Sequence, residues 1–341
     1  MPAFSPRPHA DLVASRQHGN PDSAEDSEVP PSIAPQESGR RWTRRRVLTL
    51  GFAGAGFVVV AGAAGVELVS RGVLPGKQLL DKVDGACSVA IPAPEFAPLG
   101  PSVSSRFFSR ARNRTVGYTV AYPPGHGSGS LLPLVVMLHG FGSNHTDALA
   151  GMSPAQAVAV EVDGRPLAPM ALVTVDGGGG YWNPHPEDDP LAMVVDELIP
   201  LCQRMGLGRP PHRIGAMGIS MGGYGALLLA EKFPFLISAV AAISPAIWTS
   251  YDEAQVANAG AFATASDFAA YDAVTHTRAL AEIPVRVASG YDDPFHPGIQ
   301  ALADALPAHA VVEFSKGCHT DAFFNEQEPP SLHFLARNLT T

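Results

Sequence analysis

Gly218-Ile219-Ser220-Met221-Gly222 sets a serine between two glycines, with an apolar run ahead of it and a helical run behind. At a tight strand-to-helix turn the serine hydroxyl stands exposed above a sheet, and the helix N-terminus beneath it favours developing negative charge. The turn crowds the backbone, so a side chain at 218 or 222 would meet the neighbouring strand or helix. Such a serine performs nucleophilic attack on a carbonyl. It does so only when a histidine takes its proton and a carboxylate orients that histidine. In chain order the acid then the histidine follow the serine, each after a strand. Asp292 and Asp293 follow the run Val285-Arg286-Val287-Ala288-Ser289-Gly290. The acid of such a site usually falls three residues after the turn glycine, which ranks Asp293 first and Asp292 second. His319 follows the last β-rich run, Val311 to Phe314. Of the other histidines, His276, His296, His309 and His333 fall in helical runs or ahead of strands and read as surface or packing residues.

A tetrahedral intermediate needs two backbone donors for its oxyanion. One is the N–H after the nucleophile, Met221. The other comes from the turn after an early strand, Leu138-His139-Gly140-Phe141-Gly142, with Phe141 N–H the first choice and Gly142 the second. His139 reads as structural. The loop from Asp176 to Pro190 is aromatic and acidic and should reach the mouth of the site. There Trp182 could line an acyl or alcohol pocket or simply anchor a surface loop, and Tyr224 and Gly142 are further candidates for substrate contact. His185, Glu187, Asp188 and Asp189 could also be read as a metal cluster, but clustered loop carboxylates are usually just solvated, and neither metal nor cofactor is expected.

These residues need a scaffold. Thr115 to Tyr122 alternates as a strand. Leu134–Leu138, Ala171–Val175, Arg213–Met217, Ile237–Ile243, Val285–Ala288 and Val311–Phe314 are short apolar strands. Helical spacing covers Leu191–Arg204, Gly222–Lys232, Asp267–Glu282, Ile299–Leu306 and Leu332–Asn338. Strands buried on both faces and separated by helices predict a mostly parallel central sheet with helices on both faces. This domain is expected over residues 102–341.

The first part of the chain reads differently. Residues 1–46 are rich in Pro, Ser and acidic residues and are expected to be a disordered leader. Thr43-Arg44-Arg45-Arg46 then precedes 20 uncharged residues, Val47 to Val66. A basic cluster ahead of a Gly/Ala-rich apolar run reads as an export signal of twin-arginine type, or as an uncleaved membrane anchor of sufficient length. In both cases the charges stay on the cytoplasmic side and the C-terminal domain is placed outside. Residues 67–101 form a proline-rich linker.

The 341 residues carry a formal net charge of -9, and from Val47 onward 16 basic residues face 26 acidic ones. An acidic domain of this kind is a poor partner for nucleic acid. Cys87, Cys202 and Cys318 stand too far apart for a metal motif and allow at most one disulfide, with the pairing of Cys87 open. Cys202 falls in an apolar helical pattern and reads as a small core residue.

Leu138-His139-Gly140, Asp196-Glu197-Leu198-Ile199-Pro200, the run from Arg213 to Leu227 around Ser220, and the turn Ser244-Pro245-Ala246 together resemble the Putative esterase family of α/β-hydrolases. That family includes S-formylglutathione hydrolase (esterase D), feruloyl esterases and antigen 85 mycolyltransferases. The resemblance runs from about Ser102 to Asn338. It implies the α/β-hydrolase fold, a Ser220/Asp293/His319 triad, no metal, and acyl-enzyme chemistry on a small-molecule or lipid ester. The export signal argues against a cytosolic glutathione-linked role. Three readings stay open: an exported ester hydrolase, an acyltransferase to an alcohol or sugar, and a non-catalytic envelope protein on a hydrolase scaffold.

Overall fold

The computed structural model describes residues 100–150, 161–162, 165–166, 168–210 and 213–339. The leader over 1–46, the apolar segment 47–66, nearly all of the linker 67–101, and Cys87 lie outside these residues.

Ten strands are described: β1 (Ser102–Ser109), β2 (Arg114–Ala121), β3 (Leu134–Leu138), β4 (Glu161–Val162), β5 (Arg165–Pro166), β6 (Ala171–Val175), β7 (Ile214–Ile219), β8 (Ile237–Ile243), β9 (Val285–Gly290) and β10 (Val311–Ser315). Eight form one sheet in the order β1-β2-β6-β3-β7-β8-β9-β10, and β4 pairs with β5 in a separate ribbon. The pairs β1/β2 and β2/β6 are antiparallel, and all pairs from β6 to β10 are parallel. The sheet is therefore mixed but mostly parallel, on the α/β-hydrolase fold. Its central strands β3, β6, β7, β8 and β9 are buried throughout, because helices cover both faces.

Alternation along β3 shows the two layers. Val136 and Leu138 enter one apolar cluster with Leu227 and Leu229, while Val135 and Met137 enter the other with Leu332 and Leu335. The helices are α1 (Asp147–Ala150), α2 (the helical stretch 190–204), α3 (Met221–Lys232), α4 (Tyr251–Ala257), α5 (Ala265–Ala270), α6 (His296–Ala305) and α7 (Asp321–Asn338). α3 follows β7 directly and is buried from Met221 to Glu231, so it is the central helix of its layer. Among the described residues no helix is long and apolar enough to cross a membrane.

Two helices differ from expectation. The predicted helix over Asp267–Glu282 is instead α5, a turn, and a 3-10 segment at Thr277–Leu280. The side chain of Asp272 accepts from Val274 N–H and its carbonyl holds the His276 ring, so local polar bonds replace the helical ladder. The last helix starts at Asp321, not Leu332, and runs through Pro329 and Pro330. Thr320 caps it, and Phe323, Phe324, Leu332 and Leu335 bury one face, which outweighs the local break signal. β1 and α4 are additional elements that apolar periodicity did not reveal.

Candidate active site

Parallel strands deliver their carboxyl ends to one edge of the sheet. β3 leads directly to His139 and β7 to Ser220, β9 leads to Asp293, and β10 leads to His319. Ser220 has φ 54° and ψ -121°, a conformation that L residues rarely occupy. It is over-determined by its neighbours. Ser220 N–H donates to Ile243 O at 2.9 Å, and Ser220 O accepts from Ala246 N–H at 2.9 Å and Tyr224 N–H at 3.1 Å. A Cβ at Gly218 would lie 2.1 Å from Gly222 O, and one at Gly222 would lie 1.9 Å from Leu138 O. Only glycine closes this turn.

His319 joins the other two groups. Its Nε2 lies 2.8 Å from Ser220 Oγ and its Nδ1 2.9 Å from Asp293 Oδ2. Asp293 is buried, and its Oδ1 accepts from Phe295 N–H at 2.9 Å. An ionised carboxylate only accepts, so the imidazole proton sits on Nδ1 and the Nε2 lone pair faces the serine hydroxyl. Phe295 and Phe324 pack on the ring at 5.2 and 4.9 Å. Asp292 uses its N–H to hold Gly317 O at 3.0 Å and so braces the histidine loop. Cys318, beside the histidine, is buried and disulfide-bonded. Cys202 is free and buried in the core, and burial pushes its thiol up to about 12.

Met221 opens α3, where the first N–H groups lack intrahelical partners. On the facing loop, Gly140 comes so close to Ser220 that a Cβ there would lie 3.7 Å from Ser220 Cβ. Phe141 follows with its ring exposed, and Gly142 turns the chain at φ 77° into open space. His139 is buried. Its Nδ1 lies 2.8 Å from Gly140 O, and its Nε2 accepts from Gly177 N–H at 2.9 Å. Burial lowers its pKa, so the ring is neutral and both nitrogens are occupied by backbone.

Two expected substrate contacts are corrected. Trp182 does not reach the mouth of the site: it is 0% exposed, its ring lies against Gly177 and Gly225, and its Nε1 donates to His139 O at 3.2 Å. Tyr224 is also buried, with its hydroxyl donating to Tyr271 O at 2.7 Å, and burial raises its pKa. Both side chains find polar partners inside the core, which an open pocket would not provide.

The acidic loop is a structural brace. Asp188 pairs with Arg112 Nε at 2.6 Å and Arg114 Nη2 at 3.1 Å. Burial alone would raise the Asp188 carboxyl, and the Arg112 hydrogen bond and charge outweigh it, holding the group below its ordinary value. Asp176 accepts from Gly117 N–H and His145 N–H, and Asp189 caps α2 through Ala192 N–H. His185 Nε2 lies 2.6 Å from Gly180 O. Among the described residues no group of three or more His, Cys, Asp and Glu is arranged to hold a metal.

Sequence reasoning missed the apolar wall. Trp248 lies two residues beyond Ala246, packs on Tyr181 at 4.5 Å and on Phe295 at 5.7 Å, and so extends the aromatic surface outward from the imidazole. Periodicity could not find it, because it sits in a loop joined to Ser220 only by a backbone bond.

Solved structures with this fold include a ferulic acid esterase, 19% identical with a TM-score of 0.59, covering 70% of this chain and 99% of its own. An S-formylglutathione hydrolase from Agrobacterium tumefaciens is 20% identical with a TM-score of 0.57, covering 74% and 100%. FphF, a fluorophosphonate-binding serine hydrolase of Staphylococcus aureus, is 15% identical with a TM-score of 0.55, covering 70% and 99%. No curated protein matches the chain in sequence. The sequence profile described as "Putative esterase" matches residues 109–306, more than half of the chain. With its motifs and its α/β-hydrolase fold, the chain belongs to the Putative esterase family.

Proposed function

We propose that this protein is a serine carboxylic-ester hydrolase that forms an acyl-enzyme on Ser220 and works outside the cytoplasmic membrane. The observation that carries the chemistry is one imidazole bridging Ser220 Oγ and the buried Asp293 carboxylate. In the proposed cycle His319 Nε2 takes the Ser220 proton as Oγ attacks the ester carbonyl. The oxyanion is held by the N–H groups of Met221 and Phe141. The imidazolium, stabilised by Asp293, returns its proton to the leaving alcohol. A water molecule, deprotonated by the same imidazole, then releases the acid. The substrate is a small-molecule or lipid ester, and the aromatic wall of Trp248 and Phe295 beside the imidazole suits an apolar acyl or alcohol group.

The site outside the membrane rests on Arg44-Arg45-Arg46 ahead of the uncharged run from Val47 to Val66, which serves as signal or anchor. A fluorophosphonate probe should label the full chain at Ser220, located by peptide mass spectrometry, and p-nitrophenyl esters of rising chain length should be turned over. Probe attachment at another residue overturns the nucleophile. For export, replacing Arg44 and Arg45 by lysine should retain the protein in the cytoplasm, and unchanged fractionation would refute the twin-arginine route.

A further inference from the structure

An oxyanion hole works only if its donors are aimed before the charge appears. On the loop side the donor is Phe141 N–H, and the direction of that N–H is not set by Phe141 itself. The peptide unit is planar and trans, so its N–H points opposite to the carbonyl of the preceding residue. Phe141 N–H is therefore aimed by Gly140 O, and Gly140 N–H by His139 O. Both carbonyls are clamped. Gly140 O accepts from His139 Nδ1 at 2.8 Å, and His139 O accepts from Trp182 Nε1 at 3.2 Å. The imidazole can donate through Nδ1 only in one tautomer, and Gly177 N–H enforces that tautomer by donating to Nε2 at 2.9 Å.

The indole has a second role. A Cβ on Gly225 would lie 2.6 Å from the Trp182 ring, and one on Gly177 2.2 Å. Gly225 is on α3, the helix whose first N–H is Met221. One buried ring thus touches the helix carrying one donor and holds the His139 carbonyl, one peptide ahead of the Gly140 carbonyl that aims the other. Tyr181 and Trp182 both sit at positive φ, 57° and 61°, so this loop takes an unfavoured shape to bring the indole there. Arg112 ties down both ends of the loop, through Asp176 O at one and the Asp188 carboxylate at the other.

We propose that Trp182 and His139 are positioning residues that aim and space the two oxyanion donors. They never touch substrate, and they act through the Gly140 and Phe141 peptides. This rests on the reading of Ser220 as nucleophile.

The test uses the full chain and three variants. Trp182→Phe keeps an aromatic ring but loses the N–H and the part of the indole that packs on Gly177, and kcat should fall about 10- to 100-fold while KM stays within about twofold, less than loss of a whole oxyanion donor. Affinity for an alkyl boronic acid, which forms a tetrahedral adduct, should fall in parallel with kcat, while inhibition by the product acid stays unchanged. His139→Gln places its amide at the Nε2 position and loses the bond to Gly140 O, so it should show the same split. His139→Asn restores a donor near the Nδ1 position and should recover part of that loss. If Trp182→Phe fails to fold, the glutamine and asparagine pair decides. Wild-type kcat in Trp182→Phe or His139→Gln, or equal kcat in the glutamine and asparagine variants, overturns the clamp. Full activity in Ser220→Ala would instead overturn the nucleophile, so the two failures are distinguishable.

Discussion

His319 Nε2 lies 2.8 Å from Ser220 Oγ although the two residues stand 99 positions apart in the chain. The bond gives the hydroxyl a proton acceptor, so removing either partner should end the reaction without unfolding the domain. Ser220→Ala and His319→Ala should each lower kcat roughly 10³- to 10⁶-fold, and the double variant should be little worse than either single one. Steady-state kinetics beside circular dichroism reads both. A double variant whose losses multiply would mean that the two groups do not act as one unit.

Adjacent carboxylates separate by position. Asp293 Oδ2 meets His319 Nδ1, while Asp292 contributes its backbone to the same loop. Asp293→Asn should cost roughly 10²- to 10⁴-fold in kcat, because an amide at that position no longer enforces the Nδ1–H tautomer. Asp292→Asn should stay within a few-fold of wild type. The reverse ranking would transfer the acid to Asp292.

Arg112 is nearly buried, and its partner Asp188 is one quarter exposed. Arg112→Met should destabilise the domain by about 2–3 kcal/mol in urea unfolding, since it leaves the carboxylate only its more exposed partner Arg114 and removes the bond to Asp176 O. Asp188 is held below its ordinary value of 3.8. Its share of stability is therefore present above that value and is lost as pH falls through the lower folded one. The gap between wild type and Arg112→Met should accordingly narrow in strong acid, leaving the share of the bond to Asp176 O. Equal unfolding midpoints at pH 7 would show that the pair contributes nothing.

Glu231 on α3 is buried with neither carboxyl oxygen bonded, and burial pushes its pKa up to about 9 from 4.5. The folded protein holds this proton where the unfolded chain has released it. Stability from this group is thus fullest below pH 4.5 and declines as pH rises toward 9. Glu231→Gln removes the titration. The variant should gain on wild type with rising pH, by about 1–3 kcal/mol at pH 7, and the gain should flatten above pH 9. Thermal unfolding across pH 5 to 10 gives the curve, and a constant difference would contradict the buried-proton account.

What the amino-acid sequence determined by itself was local. Leu134–Leu138, Ala171–Val175 and Ile237–Ile243 read as strands over the same residues that the structure shows, because a short apolar run buried on both faces has one economical conformation. Gly218 and Gly222 marked the serine turn for the same reason: the steric demand sits within five residues. The order of strands and loops then pointed to positions 293 and 319. What only the tertiary structure decided was where side chains with no local preference end up. Trp182 in a glycine-rich loop reads alike whether its indole faces solvent or core, and the outcome was set by Gly177, Gly225 and the His139 carbonyl. The helix through Pro329 and Pro330 persists because its buried face packs on the sheet. Such outcomes depend on the sum of contacts between residues distant in sequence, and a window along the chain contains only one side of each contact.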